Sequence, residues 1–189
     1  GNARVPLLAA KRGLDLIAGS DIKARDMGNL KAADIALQAG RDIRFLVTSR
    51  HLATWGRAND KLASRAPIRR DVLTQRLAQT NHVTAAQSMS MVAGRNIDIP
   101  LARLDAGTSL SLQAGQDIQL DAYSLSNRFA ALFDVTRSDE LTARLAAGGD
   151  LLLNAGRDID TEAGKLAAKR NLTLLSGRDM AFDHLGYRV

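Results

Sequence analysis

The chain has 189 residues, 46% hydrophobic and 24% charged, with 26 basic against 20 acidic side chains, a formal net charge of +6 and no cysteine. That length suits one domain, the missing cysteines exclude disulfides and thiol chemistry, and no apolar run reaches the roughly 18 residues of a membrane-spanning helix. The opening stretch, Gly1 to Ala10, lacks the form of a signal peptide; Leu7-Leu8-Ala9-Ala10 lead straight into the pattern that follows, as in a portion cut from a longer array.

One phrase then recurs six times: a small residue, glycine, any residue, Asp or Asn, and a large apolar residue. In chain order the copies are Ala18-Gly19-Ser20-Asp21-Ile22, Ala39-Gly40-Arg41-Asp42-Ile43, Ala93-Gly94-Arg95-Asn96-Ile97, Ala114-Gly115-Gln116-Asp117-Ile118, Ala155-Gly156-Arg157-Asp158-Ile159 and Ser176-Gly177-Arg178-Asp179-Met180. Successive glycines lie 21, 54, 21, 41 and 21 residues apart. On a unit of 21, the long steps are one unit plus 33 and one unit plus 20, so the chain reads as a tandem array with two insertions.

Five residues before each glycine stand Leu14, Ile35, Met89, Leu110, Leu151 and Leu172, and three before it Leu16, Leu37, Met91, Leu112, Leu153 and Leu174. This alternation is that of a strand, whose successive side chains point to opposite faces. Leu8, Val83, Leu104, Leu145 and Leu166 stand eleven before their glycines and mark a further strand; Leu30 stands ten before Gly40, so one residue has moved across that turn. Helical repeats of about 34 or more residues do not fit a step of 21. The expected fold is all-β: a right-handed parallel β-helix of about six 21-residue coils, each of two or three short strands, spanning residues 1–189 with two protruding insertions. A single coil cannot bury its inward Leu and Ile residues; stacking closes the core.

The corner of each coil falls at Gly19, Gly40, Gly94, Gly115, Gly156 and Gly177, where a positive φ is expected. Asp21, Asp42, Asn96, Asp117, Asp158 and Asp179 are expected to support it by Asx-type bonding to nearby backbone. Calcium-binding β-rolls use a Gly- and Asp-rich nonapeptide, whereas one Gly-x-Asp recurs here per 21 residues. A catalytic site needs a local carboxylate cluster; the same Asp on every rung reads as a corner.

The first insertion, residues 47–82, carries Arg50, Arg57, Lys61, Arg65, Arg69, Arg70 and Arg76 against Asp60 and Asp71, a net +5 of the chain's +6. Concentrated positive charge attracts polyanions, so these seven residues are the candidate polyanion-binding set, for sulfated glycans, lipopolysaccharide phosphates or anionic headgroups. No nucleic-acid recognition motif accompanies them, and nucleic acid is not the expected partner. A solvated Arg-rich hairpin without a ligand fits the same residues. An extended hairpin is the expected form, with a short helix around Asp71–Gln79 as the alternative.

The second insertion, residues 122–143, is aromatic rather than basic. Trp55, Tyr123, Phe129 and Phe133, four of the chain's seven aromatics, lie in the two insertions and form a candidate contact surface; they equally suit packing on one another or on the shaft. Both insertions leave after the strand that follows the glycine. They are therefore expected to exit one corner, two coils and roughly 10 Å apart, to lie side by side, and to bury Trp55 or Phe133 between them.

The three histidines, His51, His82 and His184, lie far apart in sequence, and each is expected buried or supporting a turn. No metal framework, nucleophile elbow, phosphate loop or dinucleotide motif is visible. No cofactor and no enzymatic activity are expected.

The Ala-Gly-Arg-Asp-Ile phrase, small-residue turns such as Ala146-Ala147-Gly148-Gly149-Asp150, and the alternating Leu strand resemble the haemagglutinin repeats of filamentous haemagglutinin and of contact-dependent growth-inhibition exoproteins. His82–Leu120 and Leu145–Met180 are the most typical stretches, and Ala86-Gln87 and Lys169-Arg170 depart from the double-glycine turn. The resemblance implies a large bacterial exoprotein secreted to the cell surface through an outer-membrane transporter, with adjoining β-helix coils and no catalytic residues. Three readings follow. The chain is a shaft segment of an adhesin whose loops meet host sulfated glycans, or a later-repeat segment of a growth-inhibition exoprotein that meets bacterial outer-membrane components during toxin delivery. The third, from a different class, is a β-helical polysaccharide-processing enzyme.

Overall fold

The computed structural model describes residues 8–25, 28–46, 81–100, 102–120, 143–161 and 164–182. Each 21-residue unit folds into one coil of three short strands. The first coil holds β1 (Leu8–Ala9), β2 (Gly13–Ala18) and β3 (Ile22–Arg25), and the second β4 (Gly28–Ala32), β5 (Asp34–Ala39) and β6 (Ile43–Leu46). The third holds β7 (Asn81–Ala85), β8 (Met89–Ala93) and β9 (Ile97–Asp98), and the fourth β10 (Arg103–Ala106), β11 (Leu110–Ala114) and β12 (Ile118–Gln119). The fifth holds β13 (Arg144–Ala147), β14 (Leu151–Ala155) and β15 (Ile159–Asp160), and the sixth β16 (Lys165–Ala168), β17 (Leu172–Ser176) and β18 (Met180–Ala181).

Each strand pairs in parallel with its equivalent one coil away. The first sheet runs β1-β4-β7-β10-β13-β16, the second β2-β5-β8-β11-β14-β17 and the third β3-β6-β9-β12-β15-β18. Among the described residues the result is an all-β parallel β-helix with three sides and six coils.

The columns read along the sequence are columns in space. Leu14, Ile35, Met89, Leu110, Leu151 and Leu172 lie in one unbroken register across the second sheet, and Leu16, Leu37, Met91, Leu112, Leu153 and Leu174 in another. Leu8, Leu30, Val83, Leu104, Leu145 and Leu166 form the matching column of the first sheet. In the middle coils these side chains are fully buried, and burying each large aliphatic contributes about 1.5–3 kcal/mol. At the far end, position and chemistry persist but burial does not: Leu172 is 49% exposed against 1% for Leu110 and Leu151 in the same column. The core is therefore made by stacking, not by the coil.

The short corner of the second coil is accommodated locally. Leu30 still pairs with Val83 and Ile35 with Met89, so register survives on both sides of the missing residue. Ala33 and Asp34 both donate their amides to the Arg12 carbonyl, at 2.8 and 2.9 Å. The Ser88 amide of the third coil is met by the Asp34 carboxylate at 3.1 Å.

Candidate functional site

Two features of the fold bear on function: the corner that repeats on every coil, and the corner from which the chain departs twice. At the repeating corner, between the second and third sheets, the backbone ladder runs straight through the glycine. Gly94 donates to Ala39 O at 3.0 Å, Arg95 to Arg41 O at 2.8 Å, Gly115 to Ala93 O at 3.0 Å and Gln116 to Arg95 O at 2.7 Å. The expected positive φ is not found: none of the six corner glycines adopts it. Glycine is required for a different reason. A Cβ on Gly40, Gly94, Gly115, Gly156 or Gly177 would stand 2.1–2.2 Å from the carbonyl oxygen of the glycine one coil below. Gly19, in the first coil, meets nothing within 4 Å.

The Asp position is also an inter-coil device rather than a local Asx turn. The Asp42 carbonyl accepts from the Ile22 amide of the coil below, so it does not serve the amide above it. The Asp side chain does so instead. Asn96 donates its amide to Asp42 Oδ1 at 3.3 Å, Asp117 to Asn96 Oδ1 at 3.3 Å and Asp179 to Asp158 Oδ1 at 3.2 Å.

The residue between Gly and Asp completes the corner. Arg41 grips Asp21 with Nε and Nη2, both at 3.1 Å, and Arg95 Nη2 reaches Asp42 Oδ2 at 2.7 Å. Arg157 grips Asp117 and Arg178 grips Asp158, each through two nitrogens. Where the lower residue is the neutral Asn96, the residue above it is Gln116, not arginine. The middle position thus answers the acid of the coil beneath. Sequence reading missed this pairing, although the single Gln116 among Arg41, Arg95, Arg157 and Arg178, one unit after the single Asn96, was its visible trace.

These contacts govern the carboxyls. The Lys23 hydrogen bond, followed by that of Arg41, holds Asp21 far below the ordinary carboxylate range. The Arg178 hydrogen bond lowers Asp158 and in turn raises the Arg178 guanidinium. Burial pushes Asp42 up, but the Arg95 hydrogen bond, the Asn96 amide and the charges of Arg44 and Arg95 outweigh it, and its carboxyl is lowered. Asp98, opposite Arg44 on the outer face of the third sheet, is raised by burial against the pull of Arg44.

The departure corner lies between the third and first sheets. The chain leaves after β6 and returns at β7, then leaves after Leu120 and returns at Ala143. β6 and β12 are separated in their sheet by β9, and β7 and β13 by β10. The roots are therefore two strand spacings apart, roughly 10 Å, as the sequence spacing implies. Their bounds are narrower than the sequence suggests. Asn81 and His82 already pair with Gly28 and Asn29, and Ala143 is fully buried and accepts the Lys165 amide at 2.9 Å.

The candidate polyanion-binding residues Arg50, Arg57, Lys61, Arg65, Arg69, Arg70 and Arg76 lie outside the described residues. So do the candidate contact residues Trp55, Tyr123, Phe129 and Phe133, the stretch Asp71–Gln79, and His51 and His184. His82 is described, and it is neither buried nor in a turn. It stands on the outer face of β7, where Nε2 lies 2.8 Å from Asp105 Oδ2 and 3.2 Å from Thr84 Oγ1, and Arg103 Nε donates to the same Asp105 oxygen at 2.7 Å. Burial pushes Asp105 up, but the His82 and Arg103 contacts outweigh it and lower its carboxyl. Among the described residues no group of three or more His, Cys, Asp or Glu is placed to hold a metal ion, and no helix is long and apolar enough to cross a membrane.

Compared with known proteins, the chain matches no family model, no curated protein and no solved structure.

Proposed function

We propose that the chain is a structural shaft segment of a large secreted bacterial exoprotein of the filamentous-haemagglutinin kind, acting at the cell surface to hold loops out for adhesion. The observation that carries this reading is the unbroken register across both departures. β6 pairs with β9 across the first and β12 with β15 across the second, so the stack continues as though nothing had been inserted. A coil that tolerates long insertions at one corner without losing register is a scaffold for whatever is inserted. The basic first insertion is then the contact element for host sulfated glycans, by the attraction of its net +5 for polyanions. An outer-membrane transporter follows from the same likeness as the export partner.

The test is binding of the chain to heparin and to bacterial outer-membrane vesicles over a salt series, beside a variant with residues 47–80 replaced by a short turn. Salt-sensitive heparin binding that the variant loses supports the adhesin. Vesicle binding that survives the replacement points to the toxin-delivery exoprotein instead. Turnover of an acidic polysaccharide would identify an enzyme, and binding to neither surface would leave a spacer.

A further inference from the structure

Charge on the shaft is segregated by side. At the repeating corner every arginine rests on a carboxylate of the coil below. The outer face of the first sheet is different. Its register places His82, Arg103, Arg144 and Lys165 directly beside one another on successive coils, and Lys31 lies in the neighbouring column, two coils from Asp105. Like charges opposed in register on one face are destabilising. Asp105 pairs with Arg103 and also meets the His82 ring. Arg144, Lys165 and Lys31 are exposed and, among the described residues, enter no ion pair and no side-chain hydrogen bond. The other aspartates of the described shaft lie on the second and third sheets and at the corners leading from the first sheet to the second and from the second to the third.

The sheet thus holds Arg103, Arg144 and Lys165 about 4.8 Å apart along the shaft axis, with Asp105 the one carboxylate on its face among the described residues. We infer that the outer face of the first sheet is a binding strip for a linear sulfated polysaccharide laid along the shaft, with Arg144 and Lys165 as its principal contacts. The register is what fits the ligand. A rigid file of three cations, Arg103, Arg144 and Lys165, spans two strand spacings, roughly 10 Å, and meets successive anionic groups of an extended chain without ordering a loop. Among the described residues the Arg144 guanidinium has no partner, and its planar fork of donors suits a sulfate or carboxylate. The strip adjoins the departure corner, because its residues stand at or near the starts of their strands, and β13, which carries Arg144, is a strand on which the chain returns from an insertion. The inference deepens the adhesive reading and rests on it for the ligand class, while moving part of the contact from the insertion to the shaft.

Two variants of the full chain test it with heparin as the probe. Arg144→Gln with Lys165→Gln removes two positive charges from the strip. Asn154→Glu with Thr173→Glu lowers the net charge equally, at exposed positions on the second sheet of the same two coils. Each lost contact should lower the slope of log affinity against log salt by roughly one. The first variant should therefore lose about two from the slope and roughly tenfold in affinity at low salt, and the second should keep the parent slope. The single variants Arg144→Gln and Lys165→Gln, each losing about one, show that the loss is not misfolding, and circular dichroism checks all four. An unchanged slope in the first variant, equal losses in both double variants, or no heparin binding by the parent would overturn the inference. Strip-dependent binding that persists after residues 47–80 are replaced would uphold it while removing the insertion from the adhesive role.

Discussion

The carbonyl oxygen of Gly40 occupies the place that a side chain would take at Gly94: a Cβ there would stand 2.2 Å from it. The contact is backbone against backbone, across 54 residues of sequence and one step of the stack. Relief requires the two coils to part. Gly94→Ala should therefore destabilise by about 1–3 kcal/mol or more, whereas Gly19→Ala, with open space beneath it, should change stability by less than about 0.5 kcal/mol. Thermal unfolding of the two variants side by side checks this, and equal effects would mean that the glycine serves its own turn and not the coil below.

The pairing of Arg with Asp, and of Gln116 with Asn96, makes a second expectation. Asn96→Asp together with Gln116→Arg should recreate the bridge seen between Arg157 and Asp117. A double-mutant cycle should show favourable coupling of about 0.2–1 kcal/mol, the range for ion pairs open to water. Coupling of zero or of the opposite sign would mean that the middle residue does not answer the coil beneath.

Leu110 and Leu172 share a column but not an environment, 1% and 49% exposed. Leu110→Ala should cost about 2–5 kcal/mol through the cavity it leaves, and Leu172→Ala less than about 1 kcal/mol. Chemical denaturation of both measures how far burial belongs to the stack.

Acid should loosen the corners. Asp21, Asp42, Asp105 and Asp158 are all held below the ordinary value. Between their folded and ordinary pKa values the unfolded chain binds more protons, so their contribution is complete above about pH 4 and is lost as pH falls below it. Asp98, raised by burial, acts in reverse: it remains protonated in the folded chain where the unfolded chain ionises, and subtracts stability as pH rises past that point. Four against one, the melting temperature should fall from about pH 5 to about pH 2.5, and Asp21→Asn should shrink the fall. A flat profile over that range would contradict these shifts.

The inward columns and the shared departure corner were legible in the sequence, which left two or three strands to each coil, because a period of 21 residues repeats the same chemistry at the same place. The reason for the glycine was not. Sequence shows that a side chain is unwelcome at Gly94, but only the stack shows that the obstacle is Gly40 and not the residue's own φ. Likewise Asp42 read as a turn former, since its partner amide on Asn96 and its Arg95 are separated from it by the whole first insertion. The cationic file from Arg103 to Lys165 escaped notice because its members stand at strand starts, 41 and 21 residues apart, with no motif to join them. Arg50, Trp55 and their neighbours lie outside the described residues, so the seats proposed for them rest on charge and composition.

The most direct test of the central claim, a continuous stack to which the insertions are added, is thermal unfolding of a variant in which residues 47–80 and 121–142 are each replaced by a short turn. With β6 still meeting β9 and β12 still meeting β15, the variant should keep its β circular dichroism and unfold in one cooperative transition, at a melting temperature no lower than the parent's. Loss of that transition would show that the insertions are part of what holds the coils together, and the shaft would not stand as described.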